Sequence, residues 1–466
     1  MGASPLKTEE TIAAIATAPG SGGIGIIRIS GPQSAGILER IFLPQRQKRH
    51  PLPSHRLCYG KVLDRHGTVL DEAMAVLMRA PYSYTCEDVA EIQSHGSWPV
   101  LQAILAEVLA AGARLAEPGE FTKRAFLAGR IDLTRAEAVV DLIEARTAVS
   151  AKLAAEQLQG ALSERINAVR DALVRILAQV EVAIDFPDDA VELLERDQLQ
   201  AQLREQVEQP LQRLLVLAEQ GRVFREGIKV VIAGRPNVGK SSLLNALLRE
   251  ERALVADLPG TTRDTIEELI SVRGIPVHLV DTAGIRDHAD ALEGLGIERA
   301  RRKVEQADLV LLVLDASQKL TAPDRELLQS LAEKKRIVVL NKLDAAVPEL
   351  IEQISQELAG EMQVRTAAKS GNGIEALLDA IQQVVLGKGE ELEERLACAP
   401  NLRHKMILEK TLTACGQVEV TLLAGESADL LAVDLQTVLD HLADIVGLTT
   451  PDDVLDAVFS QFCIGK

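Results

Sequence analysis

The run Gly234-Arg235-Pro236-Asn237-Val238-Gly239-Lys240-Ser241 sets two glycines, a lysine and a hydroxyl at the spacing of a phosphate-cradling loop. Backbone N–H groups of Asn237, Val238, Gly239, Ser241 and Ser242 would point at phosphate oxygens, and Lys240 would reach the outer phosphates. The Ser241 hydroxyl suits Mg²⁺, a hard cation that takes oxygen donors. Downstream come Asp281-Thr282-Ala283-Gly284 and Asn341-Lys342-Leu343-Asp344. Asp281 fits a carboxylate that holds Mg²⁺ through water, and the Gly284 amide can approach a γ-phosphate because no Cβ intervenes. The Asp344 carboxylate accepts hydrogen bonds only, so it suits guanine, whose edge offers N1–H and an amino group. Adenine would leave that acceptor unpaired, at a cost of about 1 to 3 kcal/mol. Three motifs in this order predict binding and hydrolysis of GTP.

One group is missing. Ras-type enzymes place a glutamine after the switch glycine to orient the attacking water, and here Ile285 stands there. Isoleucine cannot orient water, which leaves a polar loop residue, a monovalent cation or a second subunit to do so. Ala256-Asp257-Leu258-Pro259-Gly260-Thr261-Thr262 lies where a switch loop belongs, with Thr262 as the second hydroxyl on Mg²⁺.

These motifs need a parallel sheet to carry them. Lys229 to Ala233, Val277 to Val280 and Ile337 to Leu340 read as strands that end at the three motifs, and Ser242 to Leu248 reads as a helix. Upstream, Ile12 to Ala16, Ile24 to Ser30, Leu57 to Leu63, Ala73 to Met78 and Asp88 to Gln93 read as short strands, with a helix from Val100 to Ala111, as in an α+β domain. Gly20-Ser21-Gly22-Gly23-Ile24-Gly25 matches the dinucleotide fingerprint formally, but a β-like run follows where the fingerprint needs a helix. From Thr134 to about Gln220 long amphipathic helices take over, with Val169, Leu173, Ile176, Leu177 and Val180 at helical spacing, broken at Asp185-Phe186-Pro187-Asp188. Helical periodicity resumes after Leu386.

The expected fold is multidomain, α/β and α+β: an N-terminal domain over 1–128, a helical domain over 129–220 and 387–466, and a Ras-like P-loop GTPase domain inserted at 221–386. Its 466 residues allow two to four cores. A net charge of −17 speaks against a large nucleic-acid groove built by this chain alone, so an RNA substrate needs a local patch or a basic partner. Arg46, Lys48, Arg49, His50, His55 and Arg56 make one modest basic cluster among prolines. No stretch is long enough to span a membrane and the N-terminus lacks the form of a signal peptide, so the expected location is the cytoplasm. Cys58, Cys86, Cys398, Cys415 and Cys463 are scattered, as reduced thiols are.

Taken together, the residues resemble the MnmE (TrmE) family of tRNA modification GTPases. The resemblance runs from Gly22-Gly23-Ile24-Gly25-Ile26-Ile27-Arg28-Ile29-Ser30-Gly31 through Pro118-Gly119-Glu120-Phe121-Thr122-Lys123-Arg124-Ala125-Phe126 to the terminal Phe462-Cys463-Ile464-Gly465-Lys466. It implies a homodimer that works with the flavoprotein MnmG, which carries FAD. The pair would install an aminomethyl-type group, carboxymethylaminomethyl, on C5 of the tRNA wobble uridine. It also implies a folate-binding-like N-terminal domain taking a tetrahydrofolate derivative as one-carbon donor, with Arg28, Glu91, Arg130 and Lys466 as its contacts. K⁺ would sit beside the phosphates, held by Asn237 and by Ala256, Leu258 and Thr261 of the switch loop, with Glu293 as the catalytic glutamate.

By residue type alone, Cys463 reads as a small buried hydrophobe, whereas the resemblance implies a reactive thiol close to the folate. Three positions depart from the family pattern: Cys86 where glycine is common, Arg130 where lysine is common, and Ala367-Ala368-Lys369 in place of a guanine-contacting Ser-Ala-Lys. The main rival is a ribosome-assembly GTPase similar to Era and EngA, which share the apolar residue at the Ile285 position. A further reading is a folate enzyme whose GTPase only regulates assembly.

Overall fold

The computed structural model describes residues 10–45, 52–185, 196–251, 267–281, 302–387 and 396–466. Contacts divide the chain into two units. Met1–Val140, Leu158–Leu194 and Val420–Lys466 make the first, and Asp141–Gln157 with Glu195–Glu419 the second.

The first unit holds strands β1 (Ile12–Ile15), β2 (Gly22–Ser30), β3 (Phe42–Pro44), β4 (Cys58–Leu63), β5 (Val69–Met78), β6 (Val89–Gly96) and β7 (Arg114–Leu115). They form one sheet in the order β3-β4-β5-β6-β2-β1-β7, antiparallel except for β1 with β7. Strand alternation sorts the residues by face. Ala13, Ile27, Ile29, Ala75, Leu77, Ala90 and Ile92 pack against helices Ser34–Ile41 and Trp98–Ala110 through Ile37, Leu38, Leu101 and Ile104. Ile12 and Ala14, one register step away, join Ala116, Phe121 and Tyr84 in a second, smaller cluster. The period of two therefore sends Arg28 and Glu91 away from the main core. As expected, no helix follows the Gly20 to Gly25 run, since β2 itself begins at Gly22. Helix Ala161–Asp185 packs along helix Ala428–Val446, burying Val169, Leu173, Ile176 and Val180 at the expected spacing.

The second unit has a six-stranded sheet of β8 (Ile228–Ala233), β9 (Glu267–Val272), β10 (Ile275–Asp281), β11 (Leu309–Asp315), β12 (Arg336–Asn341) and β13 (Gln363–Arg365), in the order β13-β12-β11-β8-β10-β9. Only β9 runs antiparallel, joined to β10 by a two-residue turn in which Arg273 (φ +49°) and Gly274 (φ +84°) take the left-handed conformation such hairpins require. All seven residues of β11 are buried, as befits a central parallel strand covered on both faces. Leu309, Leu311 and Val313 meet Leu243, Leu247, Leu377 and Ile381 on one face. Val310, Leu312 and Leu314 meet Leu331, Ile354 and Leu358 on the other. Helix Gln209–Glu226 extends past the expected start of the nucleotide domain at 221. It stops where Gly227 (φ +76°) turns the chain into β8, and a Cβ there would lie 2.5 Å from the Pro276 carbonyl. Among the described residues no helix is long and apolar enough to cross a membrane.

Candidate functional site

β8 lies between β10 and β11, where the strand order reverses, and this is where parallel α/β sheets open a crevice at their carboxyl ends. The chain leaves β8 into the loop Gly234 to Gly239 and enters helix Lys240–Glu251, whose N-terminus favours anions. Three loop residues have positive φ: Gly234 (+150°), Asn237 (+66°) and Gly239 (+100°). A Cβ at Gly234 would lie 2.5 Å from the Val313 carbonyl, and one at Gly239 would lie 2.2 Å from Asn341 Nδ2. Lys240 is 8% exposed and donates from Nζ to the carbonyls of Gly234 (3.0 Å) and Arg235 (2.8 Å). Asn237 and Ser241 are exposed at the loop mouth, Ser242 is half-buried, and Val238 is buried beneath.

Asn341 ends β12 and is 2% exposed. Its Nδ2 donates to the Val238 carbonyl (3.0 Å), and its Oδ1 accepts from the Ala368 N–H (3.1 Å) and Thr366 Oγ1 (3.2 Å). One buried amide thus ties the phosphate loop to the Ala367-Ala368-Lys369 loop. Lys342 (φ +66°) bends the chain into a single turn, Leu343–Ala345, that leaves Asp344 exposed. Lys342 Nζ donates to Asp315 Oδ2 (2.7 Å), and the Ser317 N–H (3.0 Å) and hydroxyl (2.6 Å) donate to Oδ1. Burial alone would raise the Asp315 pKa, but Lys342 and Ser317 outweigh it and hold the carboxyl below its usual range.

The first unit gathers a second constellation. Arg28 and Glu91 are directly opposite on β2 and β6, with Arg28 Nε donating to Glu91 Oε1 at 2.8 Å. Arg28 Nη1 donates to the Gly465 carbonyl (3.2 Å), so the C-terminal tail closes over the pair. Ile464 bridges Pro118, the Phe121 N–H donates to the Lys466 main-chain oxygen (3.2 Å), and Phe462 is buried beside Phe459. Gly465 (φ +97°) allows this course, since a Cβ would lie 2.5 Å from the Ile15 carbonyl. Burial, and then the charge of Arg28, lowers the Lys466 pKa, with Glu91 pulling the other way. The Arg28 guanidinium carbon lies 5.7 Å from the Phe121 ring centre and 5.8 Å from that of Tyr84. Arg130 lies 5.0 Å from the Tyr84 ring. Cys463 is exposed, contrary to its expectation as a buried hydrophobe: Phe459 and Phe462 fill the core there.

Two family models match the chain: that of the GTP-binding protein TrmE N-terminus matches residues 11–130, and that of the MnmE helical domain matches 133–463. The tRNA modification GTPase MnmE of Desulfotalea psychrophila is 50% identical over 464 residues, covering 98% of each chain. That of Geobacter sulfurreducens is 47% identical over 463 residues, covering 99% of this chain and all of its own. The chain belongs to the MnmE (TrmE) family. It is accordingly a GTP-binding, GTP-hydrolysing enzyme of tRNA modification, and the full-length match to MnmE does not favour the ribosome-assembly alternative. Aquifex aeolicus Era is 30% identical over 40% of this chain and 66% of its own, with a TM-score of 0.28.

Among the expected contacts of this MnmE-family chain, the structure brings Lys240, Asn341, Ala368 and the loop backbone together, and separately Arg28, Glu91, Arg130 and Lys466. Asp281 closes β10 beside Ile232 of β8. Ala256, Asp257, Leu258, Pro259, Gly260, Thr261, Thr262, Thr282, Ala283, Gly284, Ile285 and Glu293 lie outside the described residues, as do Arg46 to His50. Ala367 is buried and Lys369 exposed. Cys86 has φ +60°, a left-handed conformation that glycine adopts at no steric cost.

Sequence reasoning missed Asp315 and Asp324. Asp315 could have been found as an acid closing a wholly apolar strand. Asp324, 2% exposed, accepts Arg235 Nε on Oδ1 (2.6 Å) and the Thr321 N–H (2.9 Å) and hydroxyl (2.8 Å) on Oδ2. It is the third residue of helix Ala322–Ser330 and closes a capping box with Thr321, and it also anchors the phosphate loop through Arg235.

Proposed function

We propose that this MnmE-family GTPase, as a cytoplasmic homodimer with the flavoprotein MnmG, adds a carboxymethylaminomethyl-type group to C5 of the tRNA wobble uridine. The one-carbon unit would come from a tetrahydrofolate held by residues 1–128. The observation that supports this most directly is that the C-terminal tail brings Lys466 to the Arg28–Glu91 pair, with Arg28 and Arg130 set against the same Tyr84 ring. Three cations, one carboxylate and two aromatic rings form a donor set that fits a planar ligand bearing carboxylates. In this reading the exposed Arg130 faces the glutamyl carboxylates, and Glu91, held by Arg28 beside Lys466, accepts from the donor edge of the pterin. Bound tetrahydrofolate would supply the one-carbon unit, and the exposed Cys463 beside it is the candidate thiol.

Residues 221–386 are proposed as the Ras-like domain inserted between the helical segments 129–220 and 387–466. Ser241 and Thr262 would hold Mg²⁺, and Asn237, Ala256, Leu258 and Thr261 would hold K⁺. The two ions would spread the charge of the β- and γ-phosphates. Lys240 exchanges its two loop carbonyls for phosphate oxygens, Asp344 reads guanine, and Glu293 orients water. The deciding experiment is mass-spectrometric nucleoside analysis of bulk tRNA from a strain lacking this gene, beside the complemented strain. Loss and rescue of a C5-aminomethyl wobble uridine is expected, and an unchanged profile would return the chain to the assembly-factor reading.

A further inference from the structure

We infer that Tyr84 is the positioning residue of the N-terminal site, setting the placement of both Arg28 and Arg130 toward the ligand. The inference rests on the folate reading and adds to it a residue on which two of its cations depend. The guanidinium carbons of Arg28 and Arg130 lie 5.8 and 5.0 Å from the centre of this one ring, within the range of cation–π attraction. Arg130 is exposed and touches Tyr84 twice, since its Nη1 also donates to the Tyr84 carbonyl at 2.6 Å. An exposed arginine without such a platform would sample many rotamers, and a carboxylate would have to order it on binding.

The ring is itself fixed. The Tyr84 hydroxyl bonds Thr122 Oγ1 (2.9 Å), and Thr122 is fully buried. The loop that carries Tyr84 is fastened beyond it. Ser30 Oγ bonds Thr85 Oγ1 (2.7 Å) and donates to Glu87 Oε2 (2.7 Å), and Arg124 Nη1 donates to the same oxygen (3.0 Å). Arg124 in turn donates to Glu120 Oε1 (2.8 Å), which also accepts from Arg114 Nη2 (2.6 Å). Burial alone would raise the Glu120 pKa, but the hydrogen bonds from Arg114, Glu117 and Arg124 outweigh it and hold the carboxyl at about 2, so this anchor stays ionised near neutrality.

The test is equilibrium binding of an air-stable formylated tetrahydrofolate to the full chain, by calorimetry, for the wild type, Tyr84→Phe, Tyr84→Leu, Arg130→Met and the Tyr84→Leu/Arg130→Met pair. Tyr84→Leu is expected to weaken binding about tenfold, and Tyr84→Phe, which keeps the ring, by about threefold at most. In the Arg130→Met background, Tyr84→Leu should cost clearly less than it does alone, because part of its effect has already been removed. A merely structural role would leave that factor unchanged and would lower the thermal midpoint instead. Equal losses in the two backgrounds, or wild-type affinity in Tyr84→Leu, would overturn the inference while leaving the folate reading intact. A wild type that takes up no folate would overturn both.

Discussion

At the scale of single residues, the same chemistry has opposite outcomes depending on what surrounds it. Cys415 is fully buried, and burial, aided by Glu208 and Glu419, pushes its thiol up to about 12, which makes it inert. Cys58 and Cys398 are also buried, whereas Cys463 is exposed on the tail that closes over Arg28. A maleimide added to the native protein is expected to label Cys463 ahead of those three, as read by peptide mass spectrometry. Cys463→Ser is expected to abolish tRNA modification, and a variant that modifies tRNA at the wild-type rate would remove the thiol from the mechanism. Asn341 shows the same dependence on context: its type and place at a strand end pointed to guanine, while its amide joins two loops across the nucleotide crevice.

At the scale of elements, helix Ala322–Ser330 is fastened to the phosphate loop through one carboxylate. Asp324 gives one oxygen to the helix cap and the other to Arg235, whose carbonyl in turn accepts Lys240 Nζ. Burial pushes the Asp324 pKa up, but the Thr321 and Arg235 contacts outweigh it and hold it below the usual range. Asp324→Asn should cost about 2 kcal/mol of stability, the scale of a charge-assisted hydrogen bond left without its ion. It should also raise the Kd for GDP and GTP by the same factor, with kcat nearly unchanged. Titration with fluorescent nucleotides checks this, and Arg235→Lys, which keeps the charge, should retain most of the affinity. A loss of stability with unaltered nucleotide affinity would reduce the pair to a helix fastening. The strands that carry the motifs were legible as apolar runs, because a parallel strand covered on both faces has few polar choices. Helix Ser34–Ile41 and strands β3 and β7 were not, since elements of eight, three and two residues carry too little periodicity to register.

At the scale of the molecule, hydrolysis must proceed with Ile285 in place of a water-orienting glutamine. If K⁺ fills that need beside Asn237, GTP turnover is expected to be severalfold faster in KCl than in NaCl at matched ionic strength, since only the size of the cation differs. Equal rates would remove the cation from the mechanism. Sequence alone determined the order of the motifs, the strand and helix character around them and the family, because each is written in neighbouring residues. The tertiary structure decided what depends on register and long-range closure. The Arg28–Glu91 pair exists because β2 and β6 align those two positions. Gly465 meets Arg28 because a left-handed turn lets the last residues reach Ile15, and Tyr84 lies beside two arginines remote from it in sequence. Such contacts join residues tens to hundreds of positions apart, and no local pattern records which of many possible partners folding will bring together.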